Sequence, residues 1–241
     1  MLLTLNKITF KWEDLLANMK RGTGREPGPE MIKAAERAYK EGIGLLDLKA
    51  VYEIFDVEGI EDEKILKLFL PTGNRREKLY IGPRIGYLEP AEKAVIGLST
   101  AGPAVVEAME KYSFEEEYLL MYYLDSFAVK AIGELSELLR RTVEEMAKER
   151  GWGVGPSMQP GSVTGWDVSG QSDLYRLAGG EIIGIRVNES HFLLPKISNS
   201  TIIGTGPGYK DIKVGSMCHE CVRQDTCLWR RENVQEHQMI V

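Results

Sequence analysis

The strongest hydrophobic pattern in the chain lies between residues 115 and 149. Apolar side chains recur there at helical spacing over many turns, and charged residues such as Lys130 and Arg141 stand between them. The apolar positions are Leu120, Leu124, Phe127, Ala131, Leu135, Leu138 and Met146. A stripe of this kind is typical of an amphipathic helix with one buried face. We therefore predict one long helix that forms the spine of the fold.

Shorter stretches with the same periodicity predict further helices. The first covers residues 9–21 and ends in a turn-rich segment. The second begins at Pro29, because a proline suits the first turn of a helix, and it ends where Gly42 interrupts the apolar stripe. A short third helix is predicted for the segment QSDLYRL, residues 171–177.

The middle of the chain mixes helical and extended patterns. Residues 90–112 are interpreted as a helix, a glycine turn after Thr100 and another helix that begins near Pro103. Residues 151–171 contain too many glycines and prolines for regular structure, so they predict a long ordered loop or a linker. Segments that favour strands lie at residues 50–57, 65–70, 78–82, 181–187 and 196–204. Together these elements predict one mixed α and β unit with a tail.

Composition and charge narrow the classes of function. The chain has 241 residues, 43% hydrophobic and 27% charged, which is enough for one large domain or for a domain with a smaller lobe. The formal net charge of -6 is spread along the chain and the basic residues form no stripe, so a nucleic-acid partner has little support. No apolar run approaches the roughly 20 residues that span a bilayer, and charge appears early after Met1. We therefore expect a cytoplasmic protein without a membrane partner.

All three cysteines lie close together near the C-terminus, as Cys218, Cys221 and Cys227 in a C-x2-C-x5-C arrangement. In a reducing cytosol such a cluster indicates metal or redox chemistry rather than a disulfide framework. A two-residue gap lets two thiolates of one turn reach a common metal, and a short loop returns the third. Zinc and a 4Fe-4S cluster both fit this spacing. The fourth ligand stays open, and its candidates are His219, His237, Asp225, water or a group of a partner.

Four segments between residues 85 and 204 carry a resemblance to a known family. In chain order they are AEKAVIGLSTAG, LDSFAVKAIGELSE, QPGSVTGWDVSGQSDLYRL and IGIRVNESHFLLPKISNSTIIG. Their order and spacing resemble the activation, or reactivation, domain of cobalamin-dependent methionine synthase, including proteins that consist of that domain alone. The likeness covers about half of the chain, and it rests on the combination of segments rather than on any one of them.

The resemblance implies a fold and a chemistry. The expected fold class is α+β, an antiparallel sheet packed with a long central helix in a C-shaped domain. The family binds S-adenosylmethionine in a crevice and presents its methyl group to inactive cob(II)alamin on a partner, where reduction and methylation restore activity. Residues 85–205 would form the activation-domain-like region, residues 1–84 would complete the core, and residues 206–241 would form a cysteine-rich metal-binding tail.

The resemblance also implies candidate site residues. The amino-acid end of S-adenosylmethionine needs a cation for its carboxylate and an acid for its ammonium group. The family places an Arg four residues before the Gly of its Pro-Gly and a Tyr directly after that Gly, but here these positions are Ser157 and Ser162. The acid candidates are Glu134 and Glu137 on the long helix. The other candidate cofactor-binding residues are Gly161, Trp166, Glu189 and Ser190. Each of them also has an ordinary structural interpretation, in packing or in a turn.

Two functional hypotheses follow from the sequence. The first is a reactivation factor for a corrinoid-dependent methyltransferase system, with the cobalamin on a partner protein and a 4Fe-4S cluster in the tail. An iron-sulfur cluster is favoured over zinc because reactivation of an oxidised corrinoid needs an electron at low potential. The second is a non-enzymatic corrinoid or metal-cofactor binding or assembly module, in which zinc staples the tail. Whether the chain is an enzyme stays open, because the signature Arg and Tyr are replaced.

Overall fold

Within the residues that the computed structural model describes, 1–17, 26–221 and 223–227, the centre of the molecule is a seven-stranded antiparallel sheet. The strands in chain order are β1 (Leu2–Thr4), β2 (Lys49–Glu61), β3 (Ile65–Leu70), β4 (Arg75–Tyr80), β5 (Lys93–Thr100), β6 (Gly153–Val154), β7 (Arg186–Val187), β8 (Leu193–Leu194) and β9 (Ser198–Gly206). The order in the sheet is β4-β3-β2-β5-β9-β6, and β1 pairs with the first residues of β2. The strands β7 and β8 form a separate ribbon.

Four α-helices accompany the sheet in the described part of the chain. They are α1 (Pro29–Leu45), α2 (Pro103–Phe114), α3 (Tyr118–Glu149) and α4 (Gly170–Ala178). The structure thus confirms the long helix and the predicted helices that begin at Pro29 and near Pro103, and α4 contains the short helix of residues 171–177. Across the described ranges, none of the helices combines the length and apolarity needed to cross a membrane.

The prediction of a helix before Thr100 is wrong, because residues 93–100 form the strand β5. This strand pairs with β2 on one side and with β9 on the other, and seven of its eight residues are buried. A strand that is covered on both faces loses the alternation of apolar and polar residues. Its short apolar run then resembles a buried helical segment, and periodicity alone does not separate the two.

The other strand and loop predictions agree with the structure in most of their length. The segments predicted at 50–57, 65–70, 78–82 and 196–204 overlap β2, β3, β4 and β9. In the segment 181–187 only the last two residues are extended, because a 3-10 turn covers Gly180–Ile183. The first predicted helix contains a 3-10 turn at Trp12–Leu15, and residues 18–21 of that prediction lie outside the described residues.

Helices cover both faces of the sheet. On one face α4 packs through Leu174 against Leu98 of β5, within one cluster of buried apolar residues. On the other face α3 packs through Val143 against Val95 of β5, within a second cluster. A third cluster joins α1, α2 and the first half of α3. The structure therefore confirms the α+β class with an antiparallel sheet packed against a long central helix.

A close approach between α3 and the sheet occurs at Gly97 of β5. A Cβ atom built on Gly97 would lie 2.6 Å from Cδ2 of Leu139 on α3, closer than real Cβ contacts. Since Leu139 is 1% exposed, it has little room to move away. The absence of a side chain at position 97 therefore sets the distance between the long helix and the strands beneath it.

A second close approach ties α1 to α3, and it corrects the predicted end of α1. Gly42 does not stop the helix, which continues to Leu45. A Cβ atom on Gly42 would lie 2.4 Å from two ring carbons of Phe127. The Phe127 ring is fully buried and makes edge contacts with Phe10 and Tyr39, so it is held on several sides. The glycine is needed for helix packing rather than for helix termination.

This packing predicts opposite effects of alanine at two neighbouring glycines of α1. Gly42→Ala should destabilise the protein by about 1 to 3 kcal/mol, because the added methyl group overlaps the Phe127 ring. Gly44→Ala is the matched control, since a Cβ there meets nothing within 4 Å, and it should stabilise the protein by up to about 1 kcal/mol through helix propensity. Denaturant unfolding of both variants measures the difference, and equal effects would contradict the packing argument.

Candidate functional site

The loop of residues 151–169 is shaped by a partly buried tyrosine that follows it in the chain. Cβ atoms built on Gly153, Gly155 and Gly204 would lie between 2.1 and 2.8 Å from atoms of Tyr209. The Tyr209 hydroxyl donates a hydrogen bond of 2.8 Å to the carbonyl oxygen of Tyr87, and burial raises the pKa of Tyr209. The glycines at the start of this loop are therefore required because the Tyr209 backbone lies directly against Gly153 and the Tyr209 ring lies against Gly155.

The C-terminal segment, residues 213–221, lies along the same loop and pairs with its backbone. The amide of Ser157 donates to the carbonyl oxygen of Gly215 at 3.0 Å, and Ser157 forms a parallel bridge with Ser216. Further along, Val163 forms an antiparallel bridge with Cys221. These contacts hold the C-terminal segment against the loop at both of its ends.

Side chains anchor the C-terminal segment to the region before β5. Arg84 forms an ion pair of 2.8 Å with Glu220, and the Tyr87 hydroxyl lies 3.3 Å from Nε2 of His219. Burial and the negative charge of Glu220 raise the pKa of Tyr87, and Arg84 partly offsets this. Met217 is 5% exposed and belongs to the main core cluster. The segment is thus integrated into the domain by apolar burial as well as by polar contacts.

The three cysteines lie in and just beyond this docked segment, and they are free thiols of intermediate exposure. Among the residues described, no group of three or more His, Cys, Asp or Glu side chains is arranged to hold a metal ion. The Cys221 thiol instead contacts the Ser162 hydroxyl at 3.4 Å. His237, one candidate for a fourth ligand, lies outside the described residues. The metal site at Cys218, Cys221 and Cys227 therefore stays a prediction from the sequence, without support in the described arrangement.

A polar cavity of about 40 Å³ lies between α3, the strands β5 and β9 and the loop beside the C-terminal segment. We call it the helix-sheet cavity. Its lining residues are Ser99, Ser136, Leu139, Arg140, Ser157, Gln159, Asn199, Ser200 and Thr201. The volume has room for roughly two or three water molecules. The lining is mostly hydroxyl and amide groups, which is unusual beside a core helix.

Hydrogen bonds fix several of these lining groups. The Asn199 amide donates to the Ser136 hydroxyl at 2.9 Å, and that hydroxyl donates to the carbonyl oxygen of Ile132 at 2.8 Å. The hydroxyls of Ser157 and Thr201 are 2.7 Å apart. Ser99 differs from them, because it is 1% exposed and its hydroxyl finds no hydrogen-bond partner among the described residues. The hydroxyl of Ser200, which is 2% exposed, likewise finds no partner there, so the cavity lining contains two buried hydroxyls without a partner among the described residues.

Arg140 supplies the charge at the helix-sheet cavity. Its Nε atom lies 3.2 Å from Oε2 of Glu137, and its side chain is 17% exposed. Arg141 approaches the other oxygen of the same carboxylate at 3.7 Å and is 66% exposed. Two cations thus contact one carboxylate beside the cavity. Arg140 is the one charged residue among the described residues that line the cavity.

The structure separates the two acid candidates of the long helix. Both Glu134 oxygens accept hydrogen bonds from the N-terminal segment, with the Thr9 amide 2.8 Å from Oε2 and the Phe10 amide 3.1 Å from Oε1. Glu134 therefore holds the N-terminal segment onto α3. Glu137 is adjacent to the helix-sheet cavity through its ion pair with Arg140. Of the two candidates, only Glu137 lies next to a cavity-lining residue.

The remaining candidates do not lie around one site. Gly161 has a φ of 75° and closes a turn by donating its amide to the carbonyl oxygen of Trp166 at 2.8 Å. Trp166 is 2% exposed and belongs to the core cluster on the α4 face of the sheet, so it packs rather than stacks on a ligand from solvent. Glu189 and Ser190 are exposed in the turn between β7 and β8, which the Asn188 side chain organises.

Sequence reasoning missed the residues that the structure brings together at the cavity. Arg140, Ser99 and Asn199 come from three different elements, and no local spacing connects them. Two weak signals were present in the sequence. Ser99 interrupts an apolar run, and Arg140 follows Leu139, which belongs to the buried stripe of α3. Polar groups at such positions have to be satisfied by something in the fold or by a ligand.

Comparisons with known proteins give a structural relationship. The sequence matches no protein-family model, and no curated protein matches it. The structure matches a crystal structure of the MetH reactivation domain bound to AdoHcy, S-adenosylhomocysteine, with a TM-score of 0.61. The two chains are 11% identical, and the match covers 91% of this chain and 82% of that one. The chain therefore has a fold like that of the MetH reactivation domain.

Proposed function

We propose that this protein is a reactivation module for a corrinoid-dependent methyltransferase and that it binds S-adenosylmethionine and its product AdoHcy. The observation that carries the proposal is the structural match over 91% of the chain to a MetH reactivation domain that was crystallised with AdoHcy. A match over 91% of the chain is not confined to the segments that carry the sequence resemblance, which cover about half of it.

The location of the helix-sheet cavity supports the proposed ligand. The resemblance assigns the methyl donor to a crevice near the long helix and the Pro-Gly loop, and the cavity is lined by α3 and by residues that directly precede Pro160 and Gly161. Ser157, at the position of the family's Arg, is one of the lining residues. The long helix and the loop before the Pro-Gly turn therefore meet at a polar cavity in this protein.

Ser157 and Ser162, the two residues that depart from the family pattern, both contact the C-terminal segment. Ser157 pairs through its backbone with Gly215, and the hydroxyl of Ser162 contacts Cys221. Both serines thus lie under the C-terminal segment, and their small side chains let that segment come close to the loop. We infer that the ligand is anchored by other groups than the family's Arg and Tyr, while the position of the crevice is retained.

The proposed reaction takes place at the cobalt of the partner protein. The partner's cob(II)alamin accepts one electron from a separate reductase-type donor, and S-adenosylmethionine then transfers its methyl group to the reduced cobalt and leaves AdoHcy. The role of this chain is to hold the sulfonium compound beside the corrinoid, which is catalysis by positioning. No step of this proposal uses a metal of the chain itself.

Calorimetric titration tests the ligand. We expect S-adenosylmethionine and AdoHcy to bind with dissociation constants below about 1 mM, and we expect ATP to bind more weakly, because it has adenosine but no amino-acid end. Binding of neither S-adenosyl compound at millimolar concentration would contradict the proposed function. A corrinoid methyltransferase trapped as cob(II)alamin provides the second readout, since methylcobalamin absorbance should appear only with this chain, S-adenosylmethionine and a reductant together.

Thiol titration tests the state of the C-terminal cysteines. Because Cys218, Cys221 and Cys227 are free and partly exposed in the described structure, we expect all three to react with a thiol reagent in anaerobically purified, folded protein. Iron and sulfide in the same sample, with visible absorption and protected thiols, would instead support the cluster that the spacing predicts. A colourless sample with one zinc per chain would support the stapling alternative.

A further inference from the structure

The proposed function does not say which chemical group the polar side chains of the helix-sheet cavity bind. It contains a cation on its wall, a buried hydroxyl without a partner among the described residues, and several fixed hydroxyl and amide groups. Buried polar groups in proteins are nearly always hydrogen-bonded. An unsatisfied hydroxyl next to a cavity indicates a place where something outside the described protein atoms completes the hydrogen bonds.

We propose that the helix-sheet cavity is a carboxylate-binding site, in which Arg140 and Ser99 hold the α-carboxylate of an amino-acid ligand. As applied to S-adenosyl compounds, this proposal rests on the proposed function above. The site differs from the pattern implied by the family resemblance, because the cation comes from the long helix instead of the loop. Arg140 and the serine at the family's Arg position line the same cavity from opposite walls.

Charge favours an anion at this position. The described lining includes the cation of Arg140 and no carboxylate. A guanidinium carries five N–H donors in a planar fork that matches a carboxylate. The contact of Nε with Glu137 orients this fork at the wall of the cavity.

The hydroxyl of Ser99 adds a donor from the opposite wall. By the register of β5 and β9, Ser99 pairs with Asn199 and therefore faces the same side of the sheet as the neighbouring Asn199 side chain. Asn199 is already fixed by its bond to Ser136 on α3. A carboxylate between α3 and the sheet would thus meet a charged donor from the helix and a neutral donor from the strand.

The cavity is large enough for one end group of a ligand but not for a whole S-adenosyl compound. A volume of about 40 Å³ admits a carboxylate but not a nucleoside. The remainder of an S-adenosyl compound would therefore lie outside the cavity, along the loop that contains Gln159 and the Pro-Gly turn. The amino-acid end of the ligand is the part that this cavity recognises.

Titration of three ligands against matched variants tests the proposal. The ligands are AdoHcy, which has both ends, adenosine, which lacks the amino acid, and L-methionine, which lacks the nucleoside. In the wild-type protein AdoHcy should bind at least about tenfold more tightly than adenosine, which is the expected contribution of a hydrogen-bonded ionic contact. Arg140→Gln should remove this advantage and leave adenosine binding unchanged.

Three further variants separate the site from general effects on α3. Arg141→Gln is the matched control, because it removes the neighbouring cation that shares Glu137 but does not line the cavity, and it should change AdoHcy affinity less than about twofold. Ser99→Ala should weaken AdoHcy binding by roughly threefold to tenfold. The melting temperature of each variant confirms that it is folded, and Arg140→Lys, which keeps the charge but loses the fork, should recover part of the affinity.

The outcomes distinguish this proposal from the proposed function. Equal affinities for AdoHcy and adenosine, or equal losses of AdoHcy affinity in Arg140→Gln and Arg141→Gln, would overturn the carboxylate site. Neither result would contradict the binding of S-adenosyl compounds in the proposed function. Binding of L-methionine that depends on Arg140, without binding of AdoHcy, would support the site and overturn the ligand of the proposed function. If none of the three ligands binds, both proposals are overturned.

Discussion

The contact between Leu139 and Gly97 is the constraint on which the arrangement of this molecule depends. It brings the long helix α3 against β5, because a Cβ atom at position 97 would lie only 2.6 Å from the leucine side chain. Ser136, about one turn before Leu139, and Arg140, the residue after it, line the same cavity as Ser99 of that strand. The packing of Leu139 against Gly97 thus brings the polar side chains of α3 close to those of β5, and the helix-sheet cavity lies between them.

The C-terminal segment gives the second level of organisation. It joins the loop of residues 151–169 by backbone bridges, and it joins the region before β5 through Arg84 and Tyr87. Partly buried Tyr209 lies just before this segment and packs against glycines that include Gly153 and Gly155 at the start of the loop. The loop with the Pro-Gly turn is consequently supported from both sides, and a ligand that enters along it would meet a preformed surface, which lowers the entropic cost of binding.

Prediction from the sequence was accurate where one physical signal dominated. The stripe of α3 keeps its period because one face of the helix is buried along its length, and Pro29 and Pro103 mark helix starts since proline suits only the first turn. The prediction failed at β5, because burial on both faces removes the alternation of apolar and polar residues. It also failed at Gly42, where a glycine needed for close packing against Phe127 was interpreted as the end of the helix. In both cases the deciding contacts come from residues distant in the sequence.

The sequence by itself determined a mixed α and β unit, the long helix, the glycine-rich loop and the grouping of three cysteines near the end of the chain, and the family resemblance implied the α+β class. Local periodicity, the special backbones of proline and glycine, and the spacing of reactive side chains carry that information. Only the tertiary structure decided that Glu134 fastens the N-terminal segment, that Trp166 is a core residue, and that Arg140 and Ser99 share a cavity. The physical reason is that burial and electrostatic partnership depend on which elements pack together, and antiparallel pairing joins strands separated by about a hundred residues of chain, as in the pairing of Ser99 with Asn199.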